Sequence, residues 1–219
     1  MRRPFPDGRP PSIRDFMAFE EHVRNARAVN GRGEVPEAWY EAPRFYFSNP
    51  AAVYRDGDEI PRPADTAALD YELELACVIG LDGRPEGFTI MNDFSARDLQ
   101  AREVQVGLGP AKGKDFATSL GPVLVSPDEL PPSLDMRAVA RVNGEVRTES
   151  STGGMFFSWE QLLEAAARNT PGLLAGDVLG SGTVGRGCIL EHGDGRWLAP
   201  GDVVELEIEG IGVLRNRIV

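Results

Sequence analysis

Cysteine and histidine are scarce in this 219-residue chain, with two of each: Cys77 and Cys188, His22 and His192. The cysteines stand far apart, each in an apolar run and neither in a CxxC pair, so they read as buried thiols in a reducing compartment. Positive charge is also short: 23 Lys and Arg face 34 Asp and Glu, a net charge of −11. No basic stripe is present to serve nucleic acid. An acidic chain can still take an anionic substrate where a local cation overrides the average. No apolar run is long enough to cross a bilayer. The first residues, "MRRPFPDGRPP", carry charge but no apolar core and so do not form a secretory signal. The expectation is a cytoplasmic protein with no membrane and no nucleic-acid partner. Long helical stretches are lacking too, because 17 prolines and 25 glycines favour short strands and turns.

What is present is ordinary apolar content, 42%, enough for one sizeable core. Residues 1–11 are expected as an extended arm and residues 12–219 as a single domain. Ser12 with Asp15 forms a capping-box pattern, and Phe16, Phe19, Val23 and Ala26 follow at helical spacing. On that helix Asp15 and His22 share a face about 10 Å apart. "RFYF", "AAVY", "FTIMND", "GPVLVS" and "CILEH" read as strands. Ser95 with Asp98 caps a short helix. "MRAVARVNGEVRTE" reads as a hairpin turning at Asn143-Gly144, and Ser158 starts a helix. Many short strands with three short helices predict an α+β domain that is mostly β.

The chemistry concentrates in a few places. In "DYELELACVIG" a period of two puts Tyr71, Leu73 and Leu75 on one face and Glu72 and Glu74 on the other. The strand then turns apolar on both sides, so two like charges head into a core. That is costly unless something positive lies between them. Asp93 ends an apolar strand. Arg97 and Gln100, three apart, project from one face of the next helix. Lys114 closes the glycine-rich "VGLGPAKGKD", which fails as a phosphate loop because position 108 is Leu108 and position 115 is Asp115. Each feature has an ordinary reading as a solvated face, a cap or a surface residue. Together they supply carboxylates for a hard cation, a histidine for base work, and Arg, Gln and Lys as donors. All-oxygen ligands select Mg²⁺, Mn²⁺ or Ca²⁺ over Zn²⁺.

"YELELACVIG", "MNDFSARDLQ" and "GKDFATSLGP", in this order, resemble the fumarylacetoacetate hydrolase family from about Asp15 onward. The resemblance implies a mixed β-roll, usually a homodimer, acting on a small anionic diketo or 2-oxo acid, as in aromatic catabolism. It implies metal ligation by Glu72, Glu74, Asp93 and Asp15, and a water-activating pair in His22 and Glu191. Arg97, Gln100 and Lys114 would be oxyanion and carbonyl donors, with Tyr46 and Thr118 also at the substrate. Three departures stand out. Met17 replaces a tyrosine, and the loop before Lys114 is one residue longer. Asn25 stands where one branch keeps the glutamate partner of the histidine, so Glu191 must fill that role.

The reading is hydrolysis of a carbon–carbon bond in a 1,3-diketo acid, dependent on Mg²⁺ or on Mn²⁺ or Ca²⁺. The alternatives are decarboxylation, isomerisation or hydration of a 2-oxo dicarboxylic acid at the same metal site, and a non-catalytic metal- or ligand-binding homologue.

Overall fold

The computed structural model describes residues 8–107 and 109–219. Most of the expected arm, residues 1–7, and Leu108 lie outside the described residues. The strands in chain order begin with β1 (Ile13–Phe16), β2 (Phe45–Ser48), β3 (Val53–Arg55), β4 (Glu59–Ile60) and β5 (Leu69–Asp70). They continue with β6 (Leu73–Ile79), β7 (Pro85–Asp93), β8 (Ser95–Ala96), β9 (Thr118–Leu120) and β10 (Arg137–Val142). β11 (Glu145–Ser151), β12 (Val178–Gly180), β13 (Val203–Ile208) and β14 (Gly212–Ile218) complete them. The helices are α1 (Glu20–Val29), α2 (Glu37–Glu41), α3 (Arg97–Glu103), α4 (Trp159–Ala167) and α5 (Ile189–His192). The fold is α+β and mostly β, as expected, with five short α-helices among the described residues rather than three.

A seven-stranded mixed sheet runs β2-β1-β12-β6-β7-β9-β3, and a five-stranded sheet runs β11-β10-β13-β14-β4. β5 and β8 form a separate short pair. One face of the β6 segment sends Tyr71, Leu73, Leu75, Cys77 and Ile79 into the main core, with Leu206, Ile208 and Leu214 of the second sheet. Full burial of each large side chain there stabilises by about 1.5–3 kcal/mol. The other face packs Ala76 and Val78 with Ile13, Met91 and Val178. That face turns from apolar to acidic toward the start of the strand, where Glu74 and Glu72 lie.

Two local readings hold in detail. Asn143 and Gly144 both take positive φ, 53° and 80°, and turn the β10–β11 hairpin. Ser158 opens α4 with a capping box closed by Gln161.

Four others are corrected. Residues 13–16 are strand, not helix: β1 pairs with β12 in parallel and with β2 antiparallel. The Ser12 hydroxyl donates to Asp177 instead, at 2.7 Å. Asp15 and His22 therefore sit on different elements, and α1 starts only at Glu20. Ser95 does not cap α3. Its hydroxyl donates to the Asp93 carbonyl at 3.0 Å, while Asp98 accepts from Thr66 and from the Ala67 amide. In "GPVLVS" Val125 makes an isolated bridge to Phe88, and the strand is the preceding β9. "CILEH" is the short helix α5, not a strand. The cause is tertiary: both oxygens of buried Asp70 accept the first amides of that helix, Ile189 at 2.7 Å and Leu190 at 3.0 Å.

Candidate active site

Antiparallel pairing sets the start of β6 beside the end of β7, so Glu72, Glu74 and Asp93 meet at one end of the large sheet. The parallel pair β1–β12 brings Asp15 to the same end, opposite Gly180. One carboxylate oxygen from each of Asp15, Glu72, Glu74 and Asp93 falls within 4.8 Å of the others. Gly180 makes this convergence possible. A Cβ there would stand 2.3 Å from the Met91 methyl, 2.6 Å from Asp15 Oδ1 and 2.8 Å from Glu74 Oε2.

All four acids are at most 4% exposed. Two buried cations answer them. Lys114 bonds both Glu72 Oε2 and Asp93 Oδ2. Arg97 bonds Glu72 Oε1 through Nη2 at 2.6 Å, Asp70 through Nε at 2.8 Å and Gln100 through Nη1 at 3.2 Å. Burial works against the Glu72 charge, but Arg97 and then Lys114 outweigh it and hold that carboxyl well below its usual range. For the others, burial wins, with repulsion added. Burial, then Asp93, pushes Asp15 well up. Burial, then Asp15 and Asp93, does the same to Glu74. Burial raises Asp93 in spite of Lys114. Asp15 Oδ1, Glu74 Oε1 and Asp93 Oδ1 are buried without a hydrogen-bond partner. Unpartnered buried carboxylate oxygens facing one another are what a hard divalent cation relieves, so this donor set fits such an ion.

Glycine also places Lys114. A Cβ on Gly113 would lie 2.7 Å from the Gln100 amide, so the loop packs against α3 only with glycine there.

The second half of the site comes from helices. His22 on α1 meets Glu191 on α5, Nδ1 to Oε1 at 2.7 Å. The other Glu191 oxygen accepts from Asn25 Nδ2 at 3.0 Å and from the Arg186 amide at 2.9 Å. Burial opposes the Glu191 charge, yet the His22 hydrogen bond leads the contacts that hold its carboxyl below the ordinary value. Glu191 is thus an acceptor, so His22 Nδ1 carries the proton and Nε2 is left as the basic nitrogen. Asn25, where a glutamate was expected in one branch, steadies Glu191 instead.

Both halves open on one cavity of about 570 Å³, within the ~300–1,000 Å³ common for small-molecule sites. His22, Glu72, Glu74, Asp15, Arg97 and Gln100 line it, as do Lys114 and Tyr46. Tyr46 donates to Asp93 Oδ2, and Asp93 and Glu191 stand just behind the wall. Thr118 is not brought to the wall; it is buried in β9, in register with Asp93. Sequence reasoning missed Arg27, Arg32, Arg44 and Thr183, which also line the cavity. No spacing signal links them, since they come from α1, two connections and the segment after β12. Arg27 fastens its neighbouring loop, donating to the carbonyls of Glu34 at 2.7 Å and Gly33 at 3.3 Å. Asp70, also missed, joins the halves, because it accepts from Arg97 and caps α5.

Residues 12–219 match the protein-family description "Fumarylacetoacetate (FAA) hydrolase C-terminal". Oxaloacetate tautomerase YisK of Bacillus subtilis is 35% identical over 224 aligned positions, covering 95% of this chain and 71% of the relative. A fumarylacetoacetate hydrolase structure from psychrophilic Exiguobacterium antarcticum is similar at 32% identity and a TM-score of 0.76, over 95% of this chain and 75% of that one. A 5-carboxymethyl-2-hydroxymuconate delta-isomerase structure from Mycobacterium smegmatis is similar at 29% identity and a TM-score of 0.75, over 97% and 78%.

Proposed function

The chain belongs to the fumarylacetoacetate hydrolase family, and on that premise we propose that it hydrolyses a carbon–carbon bond in a small 1,3-diketo acid with the help of a divalent cation. The observation that carries this reading is the His22–Glu191 pair, set on the same cavity as the carboxylate cluster. Asp15, Glu72, Glu74 and Asp93 would hold the ion, which when bound supplies a Lewis acid for the substrate's oxygens. An all-oxygen donor set suits Mg²⁺, Mn²⁺ or Ca²⁺.

The rest falls to the chain's own residues. Glu191 holds the Nδ1 proton of His22, so Nε2 takes a proton from water, and the hydroxide attacks the distal carbonyl. Lys114 has a third N–H beyond those spent on Glu72 and Asp93, and Gln100 keeps its amide N–H₂; both line the cavity as donors for the developing oxyanion. The carbon–carbon bond breaks with its electron pair on the departing enolate, and the His22 imidazolium returns the proton. Arg97 spends three of its five N–H groups on Asp70, Glu72 and Gln100 and so positions Glu72, and the two that remain make it a further donor at the cavity. Arg27, Arg32 and Arg44 along the wall give an acidic protein a local welcome for an anionic substrate.

A second reading is favoured by the 35% identical oxaloacetate tautomerase. The same base would move a proton between carbon and oxygen of a 2-oxo dicarboxylate, with no water consumed. Assaying acylpyruvates, fumarylacetoacetate and oxaloacetate with Mg²⁺, Mn²⁺ and Ca²⁺ in H₂¹⁸O separates the two. Hydrolysis puts ¹⁸O into a new carboxylate and yields two products. Enol–keto interconversion alone, with no cleavage of any substrate, overturns the hydrolase reading.

A further inference from the structure

Cys188 and His22 are far apart in sequence, but the fold sets them side by side. A ring nitrogen of His22, the sulfur of Cys188 and a carboxylate oxygen of Glu191 lie within 4.8 Å of one another. We propose that these three side chains form a second cation site, softer than the carboxylate cluster, which takes Zn²⁺ or a similar thiophilic ion and silences the protein by capturing His22. The inhibitory consequence rests on the base role proposed above; the binding site does not.

Ligand chemistry separates the two sites. Four carboxylates suit a hard ion, whereas imidazole, thiolate and one carboxylate are ligands of Zn²⁺. The three atoms are gathered by hydrogen bonds, and the His22–Glu191 contact must open by about 0.6 Å or more to admit zinc. Tetrahedral bonds of about 2.0–2.3 Å place ligand atoms roughly 3.3–3.8 Å apart. Here Glu191 Oε1 lies 2.7 Å from His22 Nδ1 and 3.5 Å from Cys188 Sγ. The shared oxygen is aimed at both partners because Asn25 and the Arg186 amide anchor the other one. Such anchoring of a ligand's far atom is how metal sites orient their carboxylates. Cys188 is equally fixed: it precedes α5 directly and its backbone bridges that of Glu72.

Charge balances as well. On binding, the thiol releases its proton to solvent as the sulfur–zinc bond forms, and the Nδ1 proton of His22 gives way to the ion while Nε2 takes one up, which occupies the basic nitrogen. Thiolate and carboxylate then offset the two positive charges, with imidazole neutral. Without an ion the thiol stays protonated, since burial and then Asp70 push it well up. His22 faces the cavity, which gives the ion its entry and a water for the fourth position. Cys77 belongs to no such cluster among the described residues; it is packed in the apolar core, with its thiol donating to the Val78 carbonyl at 3.8 Å.

The test uses the Mg²⁺-saturated protein. Co²⁺ serves as the spectroscopic probe, and bound Zn²⁺ is counted by equilibrium dialysis. The expected result is one extra ion per chain with a thiolate-to-cobalt charge-transfer band, retained in Glu74→Gln, where the oxygen cluster is impaired. Cys188→Ser and Cys188→Ala should both lose the band, keep basal turnover and become roughly tenfold or more less sensitive to Zn²⁺. Absence of the band in the unaltered protein overturns the proposal. So does uptake that survives both Cys188 substitutions and vanishes in Glu74→Gln, which would place the zinc on the carboxylates. Uptake without loss of turnover overturns the inhibitory half. Band and ion count are read without substrate, so failure of the hydrolase reading would leave them untouched.

Discussion

The carboxylate cluster and the His22–Glu191 pair share one cavity but are built by different means. Strand register places the cluster: Glu72 and Glu74 are two residues apart, and Asp93 is delivered by the adjacent antiparallel strand. Helix packing places the pair, α1 against α5, with residues 169 positions apart in sequence. The cluster holds charge against repulsion, and three of its acids are raised above their ordinary values. The pair holds charge by attraction, and Glu191 is lowered. One half is thus poised to receive a cation, while the other is already satisfied and poised to move a proton.

The largest expected effect comes from attacking the first half alone. Chelation should abolish turnover, and Mg²⁺ or Mn²⁺ should restore it. Asp93→Ala removes an acid and a partner of both Lys114 and Tyr46, so calorimetry should find the divalent ion lost while the fold persists. Unchanged ion affinity in that variant would move the cation elsewhere. Next in size is the second half. His22→Ala should lower hydrolysis by about 10²–10⁴ with ion affinity unaltered. If hydrolysis and any oxaloacetate conversion fall together, His22 serves both reactions as a proton carrier. If hydrolysis persists, another group activates the water.

These two halves were not equally legible in the sequence. Alternation in "DYELEL" reveals Glu72 and Glu74 because a strand's period is local. Asp93 follows for the same reason, at the end of an apolar run. Asp15 was assigned to the right cluster by family resemblance but to the wrong element. Ser12 and Asp15 satisfy the capping-box pattern, yet residues 13–16 gain more by joining β12 and β2 in the buried sheet. Asp15 therefore lies in β1 and shares no helix face with His22, which follows on α1. "CILEH" reads as a short apolar strand, but the fold supplies Asp70 as a remote cap and makes it helix. A cap 119 positions upstream leaves no local trace. Thr118 was expected at the substrate from its motif; register sets it beside Asp93 on the neighbouring strand, buried and outside the cavity lining.

Asp70 offers a way to disturb both halves from a residue that belongs to neither. Its oxygens accept from Arg97 and from the Ile189 and Leu190 amides. In Asp70→Asn the new N–H₂ must face one of those donors, so either Glu72 or Glu191 loses its support. Supporting partners of this kind cost about 10–100-fold in ion affinity or activity when altered. The checks are ion affinity by calorimetry and turnover at saturating ion. A variant that merely melts earlier, with both quantities intact, reduces Asp70 to a structural part.

The smallest effect is also the one that tells the halves apart by sign. An acid raised in the folded state binds more protons folded than unfolded, so stability falls as pH rises from the unfolded value near 4 through the raised one. That is the case of Asp15, Glu74 and Asp93. A lowered acid does the reverse: Glu191 adds stability above about pH 4.3 and loses it as pH falls through its lowered value. Between about pH 5 and 7 the cluster, with buried Asp70 beside it, pulls stability down as pH rises, against His192, whose lowered value pulls it up by at most one proton. Each proton held only by the folded state changes stability by about 1.4 kcal/mol per pH unit, and a chain of this size shifts by roughly 2–4 °C per kcal/mol. The chelated protein should melt several degrees lower at pH 7 than at pH 5. Mg²⁺ should flatten the difference, since the ion then takes the place of the protons. Glu74→Gln should flatten it without the ion, because one repelled charge is gone, whereas Glu191→Gln should leave the slope in this window unchanged. Calorimetric melting of the three proteins, chelated and loaded, makes the measurement. A slope that survives both Mg²⁺ and Glu74→Gln would come from the overall negative charge of the chain, and the cluster would not be the strained half.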